Sequence, residues 1–215
     1  MNTAACIVVF AKAPVAGRVK TRLIPVLGAQ GAAELAQQLL EHALDQAVQV
    51  HGAAVELCMT PDLHDPALVA LSQQYGVTLS PQGDGDLGDR MHRAFQRVLQ
   101  THGAAILIGT DAPTLDTAML KEALGALATH DAVFVPALDG GYALVGLRQA
   151  RAALFEGMVW STANVMQETR RRAALAHVYW HELPPVNDID DPADLVHVPT
   201  AWLPPPIDVR KHCRL

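Results

Sequence analysis

The chain has 215 residues, 50% of them hydrophobic, with 16 Lys plus Arg against 22 Asp plus Glu and a formal net charge of -6 at pH 7. Such a length and apolar content support one sizeable core, so a single α/β domain is expected rather than two small ones. The acidic balance excludes a general nucleic-acid or membrane-surface binder, which needs a broad excess of cations, and no run approaches the roughly 20 apolar residues of a bilayer span. The three cysteines lie far apart without a CxxC pair, which points to free thiols in a reducing cytoplasm rather than to disulfides or zinc.

The first apolar run, Ala4 to Phe10, has no basic segment before it and reads as a strand rather than a signal peptide. Directly behind it, "AKAPVAGRVKTRL" sets Lys12, Arg18, Lys20 and Arg22 among small residues, and no Asp or Glu occurs before Glu34. Without local acidic partners, these cations point to an anion from outside the segment, with a solvated basic loop as the alternative. Gly17 lets the backbone turn closely around a ligand, and arginines grip phosphate oxygens bidentately. A Walker A loop is excluded, because Gly17 is followed by "RVKT" and no glycine stands five residues before it.

Farther along, Leu35, Leu39, Ala43 and Ala47, with Leu40, Leu44 and Val48, form the apolar stripe of a helix, and Leu87, Met91, Phe95 and Val98 form another. Strands are expected at 53–60, 77–80, 104–109, 132–137 and 142–147. Those at 4–10 and 104–109 are apolar on both faces, as central parallel strands are. This alternation predicts a mainly parallel sheet with helices on both faces, filling residues 1–198. The Pro-rich, then basic stretch 199–215 is expected to be an appended tail.

Ligands of open parallel sheets bind beyond the carboxyl ends of the strands. There, "ILIGTDAPTL" delivers Asp111, placed to hold Mg2+ or Mn2+ against a diphosphate; its other reading is a helix cap, a task for which Thr114 and Asp116 are also available. "PQGDGDLGDRM" matches GxGxxG only formally, since Asp84 and Asp86 would repel a pyrophosphate. It reads as a loop through which Gln82 and the backbone up to Gly88 contact a base or ribose, or as a plain glycine turn. In "PALDGGYALVGL", Gly140 and Gly141 let a backbone approach a substrate and Asp139 can accept a proton or orient hydroxyls, the alternative being a hairpin turn. "PPVNDIDDPADL" gives Asp191 as the cap of a last helix with Asp194 in its first turn, leaving Asp188 and Asp190 as metal ligands. "WSTANV", from Trp160, reads as a further helix start capped by Ser161 or Thr162. The ten histidines are scattered and suit surface or packing roles.

Taken in order, "FAKAPVAGRVKTRL", "GDGDLGDRM", "GTDAPTL", "PALDGGYALVGL", "WST" and "NDIDDPADL" resemble a bacterial glycosyltransferase family of the radical-SAM/selenodomain-associated transferase type, from about Cys6 to Leu195. The resemblance implies the nucleotide-diphospho-sugar transferase (GT-A-like) fold, a nucleotide-activated substrate and a divalent ion. It assigns Lys12, Arg18, Lys20 and Arg22 to the nucleotide phosphates, alongside Gly17, Gln82 and Gly88 as read above, and Asp111 with Asp188 or Asp190 to Mg2+ or Mn2+. Asp139 and Lys20 become catalytic groups, and Gly140, Gly141 and Trp160 substrate contacts. Glycosyl transfer from a nucleotide-diphosphate sugar to an acceptor is the leading expectation. The single carboxylate of "GTDA", where many glycosyltransferases carry D-x-D, keeps nucleotidyl transfer from a nucleoside triphosphate as the alternative, and a nucleotide-binding protein without catalysis as a third. Neither the acceptor nor the oligomeric state is written in the sequence.

Overall fold

The structure is a computed structural model, and it describes residues 5–61 and 65–203. Its centre is a seven-stranded sheet. β1 (Ala5–Lys12) pairs in parallel with β2 (Ala53–Thr60) on one side and with β4 (Ala104–Ile108) on the other, and β2 carries β3 (Thr78–Pro81) at its edge. Beyond β4, β6 (Tyr142–Leu147) runs antiparallel to both β4 and β5 (Ala132–Pro136), and β7 (Trp180–Glu182) closes the far edge parallel to β5.

The alternation of β1 sorts its side chains between two cores. Ile7, Val9 and Ala11 face one way, toward α1 (Ile24–Val48), α2 (Pro66–Tyr75) and α4 (Thr117–Ala126); Cys6 and Val8 face the other, toward α3 (Leu87–Val98) and α5 (Val165–Leu175). The mainly parallel sheet with helices on both faces is therefore present, with β1 and β4 at its centre. Burying both faces explains their continuous apolar sequences.

Three local expectations change. Leu87 heads the apolar stripe of α3 but is 41% exposed, because it sits in the first turn and borders an open cleft. Neither Ser161 nor Thr162 caps a helix: Thr162 Oγ1 donates to the Val159 carbonyl at 3.1 Å, Ser161 adopts a left-handed φ of 60°, and α5 begins only at Val165. β7 has no apolar run to announce it, being held at the edge by three register pairs with β5.

α3 is fixed to the sheet by charge as well as by packing. Arg97 lays both guanidinium nitrogens on Glu56 of β2, each at 2.5 Å, and Ser80 of β3 donates to the same carboxylate. Glu56 is only 7% exposed, so this fork supplies the partners that a buried carboxylate requires. At the other end of α3, Asp86 and Asp89 form a reciprocal capping box.

Asp191 precedes a 3-10 helix, Pro192–His197, with Asp194 in its first turn. A further short turn, Thr200–Trp202, packs Trp202 and Leu203 against Leu35 and Leu39 of α1. The rest of the expected tail, 204–215, lies outside the described residues. No helix among the described residues is long and apolar enough to cross a membrane.

Candidate functional site

A cleft of about 600 Å3 opens beyond the carboxyl ends of β1 and β4. Its basic wall is the segment that follows β1. The backbone reverses at Gly17, where φ is 77° and the Arg18 amide donates to the Val15 carbonyl at 2.9 Å, a turn that a residue with a side chain adopts only under strain. Lys12 closes the same loop by donating from Nζ to the Arg18 carbonyl at 2.7 Å. Lys12, Arg18 and Arg22 thereby line one side of the cleft, all exposed.

Lys20 behaves differently. It stands in the left-handed region with φ 45° and ψ 42°, and its side chain is 7% exposed. Its Nζ lies 2.5 Å from Asp111 Oδ1, 3.0 Å from Asp190 Oδ1 and 2.5 Å from the Ile189 carbonyl. An ammonium has three hydrogens, and these three oxygens use them all. Burial on its own would push this ammonium down, but the charges of Asp111 and Asp190 and their hydrogen bonds outweigh it and hold the pKa above the ordinary lysine value.

The acidic wall is assembled from two distant segments. Asp111 follows β4 and is free of capping duty, since Asp116 caps α4 by accepting from the Met119 amide at 2.9 Å. Asp190 is brought alongside by backbone: the Ile189 amide donates to the Asp111 carbonyl at 2.8 Å, and Asp194 Oδ2 accepts from the Asp190 and Asp191 amides. Behind them lies Asp188. Its burial, then the nearby charges of Asp139, Asp190 and Asp111, push its carboxyl up to about 6. Four carboxylates thus share one region of field.

Asp111 Oδ1 and Asp190 Oδ1 converge on a single cationic point, and two carboxylates completed by phosphate oxygens and water are the usual donor set for Mg2+. The pair therefore fits a divalent ion held jointly with a ligand. Among the described residues no three acidic, His or Cys side chains gather into a closed cage.

The remaining expected site residues divide. Gln82 lines the cleft floor, but its amide nitrogen is committed to the Ala11 and Cys58 carbonyls, at 2.9 and 3.3 Å. Gly88, Asp139, Gly140, Gly141, Trp160 and Asp188 do not line the cleft. Gly88 is buried beneath the Trp160 indole, where a methyl group would meet Cζ2 at 2.8 Å. Residues 137–141 form the hairpin between β5 and β6, with Asp139 Oδ1 accepting from the Gly141 amide at 2.7 Å. Gly140 has a φ of 96° and lies so close to the Ala163 backbone that no side chain fits, and its carbonyl accepts from the Met166 amide, which ties the hairpin to α5.

Several cleft residues escaped sequence reasoning, Thr21 and Thr60 among them. Arg90 lines the basic side while its Nε donates to the Gly85 carbonyl at 3.0 Å, and Ser161 reaches the cleft from across. The signal for Arg90 was its place three residues after Leu87, on the same face of the helix. Its neighbour Arg93 holds the glycine loop instead, donating to the carbonyls of Gln82 and Asp84.

Residues 43–162 match the family described as uncharacterized proteins conserved in bacteria, DUF2064. The chain belongs to this family. A crystal structure from Desulfovibrio desulfuricans G20, described as a "putative nucleotide-diphospho-sugar transferase", is 31% identical with a TM-score of 0.81, over 88% of this chain and 83% of that one. The fold is accordingly that of the nucleotide-diphospho-sugar transferases. More distant likenesses concern the fold alone. 4-Diphosphocytidyl-2C-methyl-D-erythritolsynthase from Anaerococcus prevotii DSM 20548 is 10% identical, TM-score 0.62, over 91% of this chain and 94% of that one. Glucosyl-3-phosphoglycerate synthase from Mycobacterium tuberculosis, in complex with Mn2+, UDP and glucosyl-3-phosphoglycerate, is 10% identical, TM-score 0.54, over 91% and 75%. No protein with a curated description matches the sequence.

Proposed function

We propose that this chain is a transferase that uses a nucleotide-activated substrate, moving a sugar from a nucleotide diphosphate to an acceptor. The observation that carries the reading is the pairing, across one cleft at the ends of the two central strands, of Lys12, Arg18 and Arg22 with the converging carboxylates of Asp111 and Asp190. Cations on one wall suit the phosphates, and arginines hold them in a fixed orientation. A divalent ion held by Asp111 and Asp190, with Asp188 behind them, would supply charge to stabilise a departing diphosphate. Asp139, on a hairpin turned by Gly140 and Gly141, lies outside the cleft lining, but its charge is felt at Asp188, and it would orient or deprotonate an acceptor that extends past the cleft. The related structure from D. desulfuricans supports the nucleotide-sugar reading.

Nucleotidyl transfer is the second reading, favoured by one specific observation: β4 ends in the lone carboxylate Asp111, whose partner comes from residue 190 rather than from a D-x-D pair. In that reaction Lys20 and Arg18 would clamp the triphosphate while an acceptor phosphate attacks the α-phosphorus. The cytoplasm suits either activity, since Cys6 and Cys58 are free thiols.

Product analysis separates the readings. Incubation with Mn2+ and a panel of nucleotide-diphosphate sugars should release nucleotide diphosphate, whereas pyrophosphate release from a nucleoside triphosphate would establish nucleotidyl transfer. Metal-dependent nucleotide binding without either product would leave a binding protein and overturn both.

A further inference from the structure

Lys20 is placed where the reading above needs a metal ion, and this deepens that reading. Its ammonium lies 2.5 Å from Asp111 Oδ1 and 3.0 Å from Asp190 Oδ1, the two oxygens that converge to hold a divalent cation. We infer that Lys20 is a resident counter-ion of this carboxylate pair, and that the metal site becomes available only when a nucleotide's phosphates draw the ammonium away.

Three features carry the inference. The first is competition: the ammonium seated between the two oxygens occupies the point from which a divalent ion would contact both, and like charges repel at such close range. The second is that Lys20 is well held where it is. Its side chain is 7% exposed and the Ile189 carbonyl takes its third hydrogen, so a metal arriving alone must strip a largely buried ammonium of both its counter-charges with nothing offered in exchange. The third is the alternative partner. Lys12, Arg18 and Arg22 line the same cleft as Lys20, so an anion gathered by them arrives within the compass of its four-carbon stem. Phosphate oxygens give the ammonium new acceptors, and Asp111 and Asp190, 48% and 44% exposed, are then open to an ion that the same phosphates help to ligate. The left-handed backbone of Lys20 fits a residue held at a switching point, for such conformations persist only where the surroundings impose them.

Binding then follows an order: nucleotide first, metal second. By linkage, each must tighten the other by the same factor.

The test is Mn2+ binding to the nucleotide-free protein, followed by electron paramagnetic resonance of free Mn2+ and by calorimetry. The parent should bind Mn2+ weakly. Lys20→Met and Lys20→Gln, which keep the bulk of the stem without its charge, should bind it at least tenfold more tightly with no nucleotide present. Asp190→Asn in either background should abolish that gain. Circular dichroism melting checks that each variant is folded, and the shorter Gln variant serves if the Met variant is not. Nucleotide-free Mn2+ affinity equal in parent and Lys20 variants overturns the inference. Because free nucleotides chelate Mn2+ themselves, the nucleotide-free comparison is the deciding one. It stands even if no nucleotide binds, so its failure is distinct from failure of the transferase reading.

Discussion

Removing Arg18 and Arg22 together, as Arg18→Ala/Arg22→Ala, isolates the phosphate wall without touching Lys20. Neither guanidinium supports the fold strongly. Arg18 is exposed, and Arg22 reaches Asp191 only at 3.5 Å, with 68% and 56% of the two side chains exposed. Exposed ion pairs contribute about 0–1 kcal/mol, and charge-assisted hydrogen bonds in closed sites about 1.5–3. An open cleft lies between these limits, so about 1 kcal/mol for each guanidinium, or about 2 in all, weakens a nucleotide diphosphate some thirtyfold. The matching nucleoside, which presents no phosphate charge, should lose less than about twofold on the same scale. Calorimetric titration of both ligands at low and high salt provides the measurement, and the difference should shrink as salt screens exposed charge. Equal weakening of nucleoside and diphosphate, or a double variant that binds the diphosphate as the parent does at both salt concentrations, would refute the phosphate assignment.

Three further outcomes concern the scaffold. Arg97→Ala leaves the nearly buried Glu56 with Ser80 as its remaining side-chain partner. Because Arg97 is itself 41% exposed, the cost should be about 2–3 kcal/mol rather than the full penalty of a buried unpaired charge, lowering Tm by about 5–10 °C; the joint replacement Glu56→Leu/Arg97→Met should recover most of that. Gly140→Ala places a methyl group against the Ala163 backbone at a φ of 96°. A Tm unchanged within error would show that the hairpin and the 159–164 segment are not locked together as described. Glu168, whose hydrogen bonds from Arg171 and Arg172 hold its carboxyl down at about 2 against an ordinary 4.5, contributes stability that is present above pH 4.5 and is lost as the pH falls toward 2. Glu168→Gln should therefore flatten the acid limb of a Tm-against-pH profile, and parallel profiles would contradict the pairing.

The basic segment was legible because its anomaly is local: four cations with no acid before Glu34 need nothing but the sequence to be noticed. Asp111 could be separated from Asp116 for a similar reason, as capping follows from position relative to a helix start. The strands at the centre of the sheet announced themselves through burial on both faces, whereas β7, three residues of Trp, His and Glu, is defined wholly by its neighbour β5. The role of Lys20 was the least readable. Phosphate binding was the natural expectation from its company, yet its partners Asp111 and Asp190 stand far off in the chain, the latter 170 residues away. "WSTANV" misled because capping residue types were present while Gly140 and Gly88 drew that segment into a packed turn instead.

Asp190 takes its place through a relay late in the chain: Val186 bridges Ala137, and Ile189 then bonds to Asp111. During synthesis from the amino terminus, the ribosome delivers the cationic loop first and Asp111 midway, so Lys20 meets one carboxylate well before the other. A nascent chain that has emerged only through β6 carries the positive wall with its counter-charge half supplied. Such an intermediate is the stage most apt to attract stray polyanions. Arrival of residues 186–190 supplies the second carboxylate and completes the ligand-binding geometry in the same step, so the site depends on a segment made long after the cationic loop.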